Sequence, residues 1–152
     1  MDLNREYEVV RHEGIVKSSL KDLLSGSDKT VLYFYPRDNT PGCTVEAKDF
    51  TCLAPEFESL GYQIIGVSKD SAASHAKFIE KQALWLDLIS DPELLLHKEL
   101  WAYWEKNNYG KIVQWVIRST FILDKDGNIL KEYRNVRAKG HADRVLKEVE
   151  EL

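Results

Sequence analysis

The sequence predicts an α/β fold in which helices flank a mixed central sheet. Three observations carry that expectation. Thr30 to Tyr35 and Tyr62 to Ser68 are rich in β-branched, aliphatic and aromatic residues and show little polar alternation, the pattern of strands buried on both faces. Helical stretches separate the apolar runs, as parallel strands require for their crossovers. Asp124-Lys125-Asp126-Gly127-Asn128 sits between two further strand-like runs and reads as a hairpin, which adds antiparallel strands.

The elements follow in order. Tyr7 to Arg11 and Gly14 to Lys17 read as two short strands about a Gly turn. Ser18 to Leu24 reads as a capped helical turn. Strand Thr30 to Tyr35 leads through a Pro/Gly-punctuated loop into a helix from Cys43 to Leu60. Strand Tyr62 to Ser68 precedes a helix over Ser71 to Gln82, and Leu86 to Ser90 is a third, shorter strand. Pro92 fits the first position of a helix running to Trp104. Ser119 to Leu123 and Ile129 to Asn135 flank the hairpin turn, and Ala142 to Glu150 forms the last helix. No repeat, linker or low-complexity run divides the chain, so residues 1–152 are expected to form one domain.

Composition narrows the function class. The chain is 43% hydrophobic and 30% charged, enough for a packed core, with a net charge of −4. Lys and Arg are scattered, which argues against a nucleic-acid surface. No run reaches the roughly 18 apolar residues of a membrane span. Cys43 and Cys52 are the only cysteines, too few for a disulfide framework, and Met1 to Glu6 is too polar for a secretory leader. A cytoplasmic protein is expected. His12, His75, His97 and His141 lack ligand-like spacing, so neither a metal nor another cofactor is expected.

Cys43 is the most informative residue. It follows the first buried strand, where a helix begins. Helix N-termini carry partial positive charge and unpaired N–H groups, and both favour the reactive thiolate. A peroxide-reducing thiol also needs a cation, donors for the peroxide oxygens and shelter from water. Arg118, immediately before a strand, is the candidate cation, and Glu46, one turn after Cys43, is placed to orient it through a bidentate pair. Thr40 offers a hydroxyl in the Cys43 loop, and Pro36 a shield. Trp115, Tyr109 and Ile117 are candidates for the pocket wall. Taken singly, each residue has an ordinary reading. A buried cysteine is most often a small hydrophobe, an arginine a surface charge, and a first-turn glutamate a partner of the helix dipole.

Together the residues resemble a known family. Pro36-x-x-x-Thr40-x-x-Cys43 resembles the active-site signature of the peroxiredoxins. The longer run from Phe34 to Ala47 is similar to the bacterioferritin-comigratory, or PrxQ, branch. So are Gly66-Val67-Ser68-x-Asp70-Ser71, Ser90-Asp91-Pro92 and the stretch from Arg118 to Gly127. The resemblance implies a thioredoxin-like fold and a thiol peroxidase acting on hydrogen peroxide and organic hydroperoxides. It implies Cys43 as the peroxidatic cysteine, passing through a sulfenic acid, with Thr40 and Arg118 binding peroxide and Glu46 supporting Arg118. The expected reductant is thioredoxin or another thiol. A monomer is expected from the branch, with a dimer left open. The rival reading is a non-enzymatic thioredoxin-fold binding module whose Cys43 is structural or regulatory. Absence of the C-x-x-C motif argues against a disulfide oxidoreductase.

Many members of that branch carry a resolving cysteine five residues after the peroxidatic one, where this chain has Lys48. Cys52 is the only other thiol. Nine residues along a helix is about 900°, which turns the two side chains to opposite faces. The rise is about 13.5 Å, against the roughly 4.4–6.8 Å between Cα atoms in a disulfide. Bonding Cys43 to Cys52 therefore needs the helix to unravel, and Pro55 weakens the turn that includes Thr51. Three routes stay open: a one-cysteine cycle with an external thiol, Cys52 as an atypical resolving cysteine, and an intermolecular disulfide.

Overall fold

A computed structural model describes residues 1–152. Its centre is a seven-stranded mixed sheet built from β1 (Glu6–Arg11), β2 (Gly14–Ser19), β3 (Lys29–Phe34), β4 (Tyr62–Ser68), β5 (Asp87–Ser90), β8 (Ser119–Asp124) and β9 (Ile129–Tyr133), in the order β2-β1-β5-β4-β3-β8-β9. Strands β3, β4 and β5 are parallel. On one side β8 and β9 extend the sheet antiparallel to β3. On the other, β1 pairs antiparallel with β5 and with β2, which gives the N-terminal hairpin its place.

The sheet divides two cores. Val31, Tyr33 and Tyr35 point to one side, where they meet Phe50 and Phe57 of α2 (Pro41–Ser59), Phe78 of α3 (Ala72–Gln82) and Val145 of α5 (His141–Val149). Leu32 and Phe34 point to the other, against Leu20, Leu23 and Leu24 of α1 (Leu20–Leu24) and Leu96 of α4 (Leu95–Glu99). The unbroken apolar run of β3 therefore serves two cores by strand alternation.

One expected element differs. The helix expected from Pro92 to Trp104 contracts to α4, which begins only at Leu95. Leu94 and Trp101 both adopt positive φ, at 59° and 56°, and stop the helix at either end. Trp104 instead lies in β6 (Tyr103–Asn108), which pairs with β7 (Lys111–Val116) as a separate two-stranded sheet. The turn residues Tyr109 and Gly110 have φ of 53° and 83°, the geometry of a type I′ hairpin. Trp104 and Trp115 meet across this hairpin with ring centroids 4.1 Å apart. Trp101 is largely exposed rather than packed, and Tyr109 is fully exposed at the hairpin tip, so it walls no pocket.

Candidate active site

Backbone pairing brings the candidate residues together. β8 runs antiparallel to β3, with Phe34 opposite Ser119, so the start of β8 lies beside the end of β3. Arg118 therefore emerges next to the loop from Tyr35 to Thr40 that leads into α2. The helix starts at Pro41, two residues before the expected Cys43, with Thr40 as N-cap. Pro41 sits at the first helical position, where its missing N–H costs no helical hydrogen bond. Cys43 thus lies inside the first turn, whose N–H groups have no intrahelical partner.

Cys43 is 1% exposed and Glu46 fully buried. Arg118 Nη2 is 3.3 Å from Cys43 Sγ, and Nη1 donates to Glu46 Oε1 at 2.6 Å. The guanidinium fork spans the thiol and the carboxylate, instead of the expected two-pronged grip on Glu46. Glu46 Oε2 and the nearby Tyr33 hydroxyl lack hydrogen-bond partners. Burial pushes the Glu46 carboxyl up to about 7, although Arg118 pulls the other way. Burial would lower the Arg118 pKa, but Glu46 and Cys43 hold it above its ordinary value.

Thr40 Oγ1 donates to the Arg37 carbonyl at 3.0 Å and keeps acceptor capacity on its oxygen. It makes no cap hydrogen bond to the helix, and Pro36 is half-buried before it. Ile117 is half-buried, whereas Trp115 is exposed and packs against Trp104 with the rings tilted by 50°. Cys52 is exposed, Cys43 is buried, and both thiols are free.

Sequence reasoning passed over the support beneath this loop. The Asp38 carboxylate accepts from Tyr35 Oη at 2.6 Å and Ser74 Oγ at 2.8 Å, and lies 2.7 Å from His75 Nδ1. Its backbone N–H donates to Asp70 Oδ2 at 2.9 Å. The signal available was a chemical one: a carboxylate two residues before Thr40 and a histidine on the next helix. His141 is also buried, with Nε2 2.7 Å from Thr120 Oγ1. Burial, with Arg144 and Arg118 near, lowers its pKa to about 4.

A thiol at a helix N-terminus, bridged by arginine to a buried carboxylate on a thioredoxin-like sheet, defines the class of thiol peroxidases. Residues 5–132 match the AhpC/TSA family, and the chain belongs to it. Peroxiredoxin Bcp of Xanthomonas campestris is 47% identical over 116 residues, covering 76% of this chain and 72% of its own. Peroxiredoxin Bcp of Bacillus subtilis is 43% identical over 122 residues, covering 80% and 78% respectively. A solved structure of the Xanthomonas campestris bacterioferritin comigratory protein, described in terms of alkyl peroxide reduction, superposes with a TM-score of 0.88. That structure is 38% identical and covers 98% of this chain and 92% of its own. The chain is a peroxiredoxin with the thioredoxin fold, acting on peroxide with thiol-derived electrons. No helix is long and apolar enough to cross a membrane.

Proposed function

We propose that Cys43 is the peroxidatic cysteine, acting on hydrogen peroxide and organic hydroperoxides. The observation that carries this reading is the Arg118 fork between Cys43 Sγ and Glu46. The Cys43 thiolate attacks one peroxide oxygen as the O–O bond breaks. The sulfur gains that oxygen as a sulfenic acid, and the other oxygen leaves with the bond electrons and takes up a proton, as water or alcohol. Arg118 and the first-turn N–H groups of α2 supply positive potential where the leaving charge develops. Thr40 Oγ1 accepts the peroxide's hydrogen bond, Glu46 orients Arg118, and Pro36 shelters the loop.

The sulfenic acid then condenses with a thiol, releasing water, and a second thiol reduces the resulting disulfide. The proposed cycle uses one cysteine and an external reductant, thioredoxin or a small thiol. Its support is that Cys52 faces solvent on the opposite side of α2 from buried Cys43. The proposed setting is the cytoplasm, with residues 1–152 working as one monomeric domain. No metal or other cofactor enters the proposed chemistry.

Stoichiometric hydrogen peroxide followed by mass spectrometry tests the attack. The expected result is rapid gain of one oxygen or a disulfide at Cys43, lost in Cys43→Ser and greatly slowed in Arg118→Ala. Oxidation as slow as that of a free thiol would favour the non-enzymatic rival. Cys52→Ser is expected to turn over at the parent rate with thioredoxin. Loss of turnover there would assign Cys52 the resolving role.

A further inference from the structure

We propose that His75 is a positioning residue whose ring, clamped to Asp38, holds the Pro36–Thr40 loop before α2 in its reactive shape. The inference rests on Cys43 as the peroxide-attacking thiol. It starts from a buried network with no direct contact to that sulfur. His75 is wholly buried on α3, and Asp38 is 6% exposed. His75 Nδ1 faces Asp38 Oδ2 at 2.7 Å, and Nε2 faces the Ile89 carbonyl at 2.9 Å. The two ring nitrogens thus face oxygens on two different elements, the Asp38 carboxylate of the loop and the Ile89 carbonyl of β5.

Asp38 is held at both its backbone and its side chain. Tyr35 and Ser74 donate to its carboxylate, while its own N–H is fixed by Asp70. Asp70 is in turn held by Ser68 Oγ, and its carbonyl accepts from Ser90 Oγ. The next residue, Asn39, has φ of 59°, a left-handed turn conformation that asparagine adopts more readily than most residues. The following residue is Thr40, whose hydroxyl closes the turn onto Arg37. The route from His75 to the reacting atoms is therefore short: the ring fixes Asp38, Asp38 fixes the turn, and the turn aims Thr40 and the first turn of α2.

Two substitutions at one position separate geometry from stability. His75→Asn retains an amide near Nδ1 and keeps the Asp38 contact while losing Ile89. His75→Gln retains an amide near Nε2 and does the reverse. Both remove one of the two ring-nitrogen contacts. Rates of Cys43 oxidation by hydrogen peroxide are read by rapid quench and mass spectrometry, with folding checked by thermal melts. His75→Gln is expected to slow oxidation about tenfold or more, and His75→Asn to stay within about threefold of the parent. Equal rates in the two variants, or parent-like oxidation of His75→Gln, would overturn the proposal. Should either variant fail to fold, Ser74→Ala removes one donor to Asp38 from a half-buried helix position; slower oxidation supports the clamp and the parent rate overturns it. A parent protein whose Cys43 oxidises slowly would instead sink the peroxidatic reading, before any variant is compared.

Discussion

Arg118 holds two partners with one planar group. Nη1 meets Glu46 and Nη2 meets Cys43, so the spacing of the guanidinium nitrogens sets the distance between carboxylate and thiol. Lysine carries the same charge as a point on a flexible stem and cannot reproduce that fork. Arg118→Lys is therefore expected to keep the fold, seen as an unchanged circular-dichroism spectrum. Its rate of Cys43 oxidation should fall about a hundredfold, the scale of removing one preorganised donor from a developing negative charge. A rate within about threefold of the parent would mean that charge alone, without the fork, supports the attack. The pairing of Arg118 with Glu46 was legible from residue type and spacing. The division of the fork between two partners was not, because spacing along a chain says nothing about where one arginine's second nitrogen points.

At the scale of elements, the sequence revealed most where local pattern and burial agree. The apolar run of β3 and the Asp126-Gly127 turn both formed as expected, because each carries its own local preference. The stretch after Asp91 misled because Pro92 suits a helix start and the residues after it carry no Gly or Pro to mark an early stop. The governing feature is tertiary: the Asp91 carboxylate accepts the N–H groups of Leu95, Leu96 and His97, which caps a five-residue helix. Helix α2 shows the opposite case, in which packing overrides a local signal. Pro55 lies within it, exposed, and the helix runs on to Ser59. Proline there cannot donate to the Thr51 carbonyl and crowds it. Pro55→Ala is thus expected to raise unfolding stability by about 2 kcal/mol, read from urea midpoints at unchanged slope. No gain would show that the helix already accommodates the ring without loss. The same variant should slow any oxidation-linked fraying between Cys43 and Cys52, measured by amide exchange along α2.

Over the whole molecule, two buried titratable groups pull stability in opposite directions with pH. Glu46 joins α2 to the start of β8, and His141 joins α5 to β8 through Thr120. The Glu46 carboxyl rises from 4.5 to about 7 on folding, so the folded state binds its proton more tightly. Its contribution to stability is complete below pH 4.5 and is lost as pH rises to 7. His141 falls from 6.5 to about 4, so the unfolded chain binds its proton more tightly. Its contribution is complete above pH 6.5 and is lost as pH falls to 4. Each effect amounts to about 3 kcal/mol over its window. Between pH 4.5 and 6.5 the two slopes nearly cancel in the parent. Glu46→Gln keeps a neutral group of the same shape beside Arg118 and removes one slope. Its stability relative to the parent should therefore climb by about 3 kcal/mol from pH 4.5 to above 7. His141→Gln keeps an amide near Thr120 Oγ1 and removes the other slope, so its relative stability should climb as pH falls from 6.5 to 4. Denaturant unfolding of the three proteins at several pH values measures both differences, and groups common to all three drop out. Parallel curves for Glu46→Gln and the parent would mean that Glu46 is ionised in the fold throughout. In that case, pairing with Arg118 would outweigh burial, and the carboxylate would stabilise the site it orients.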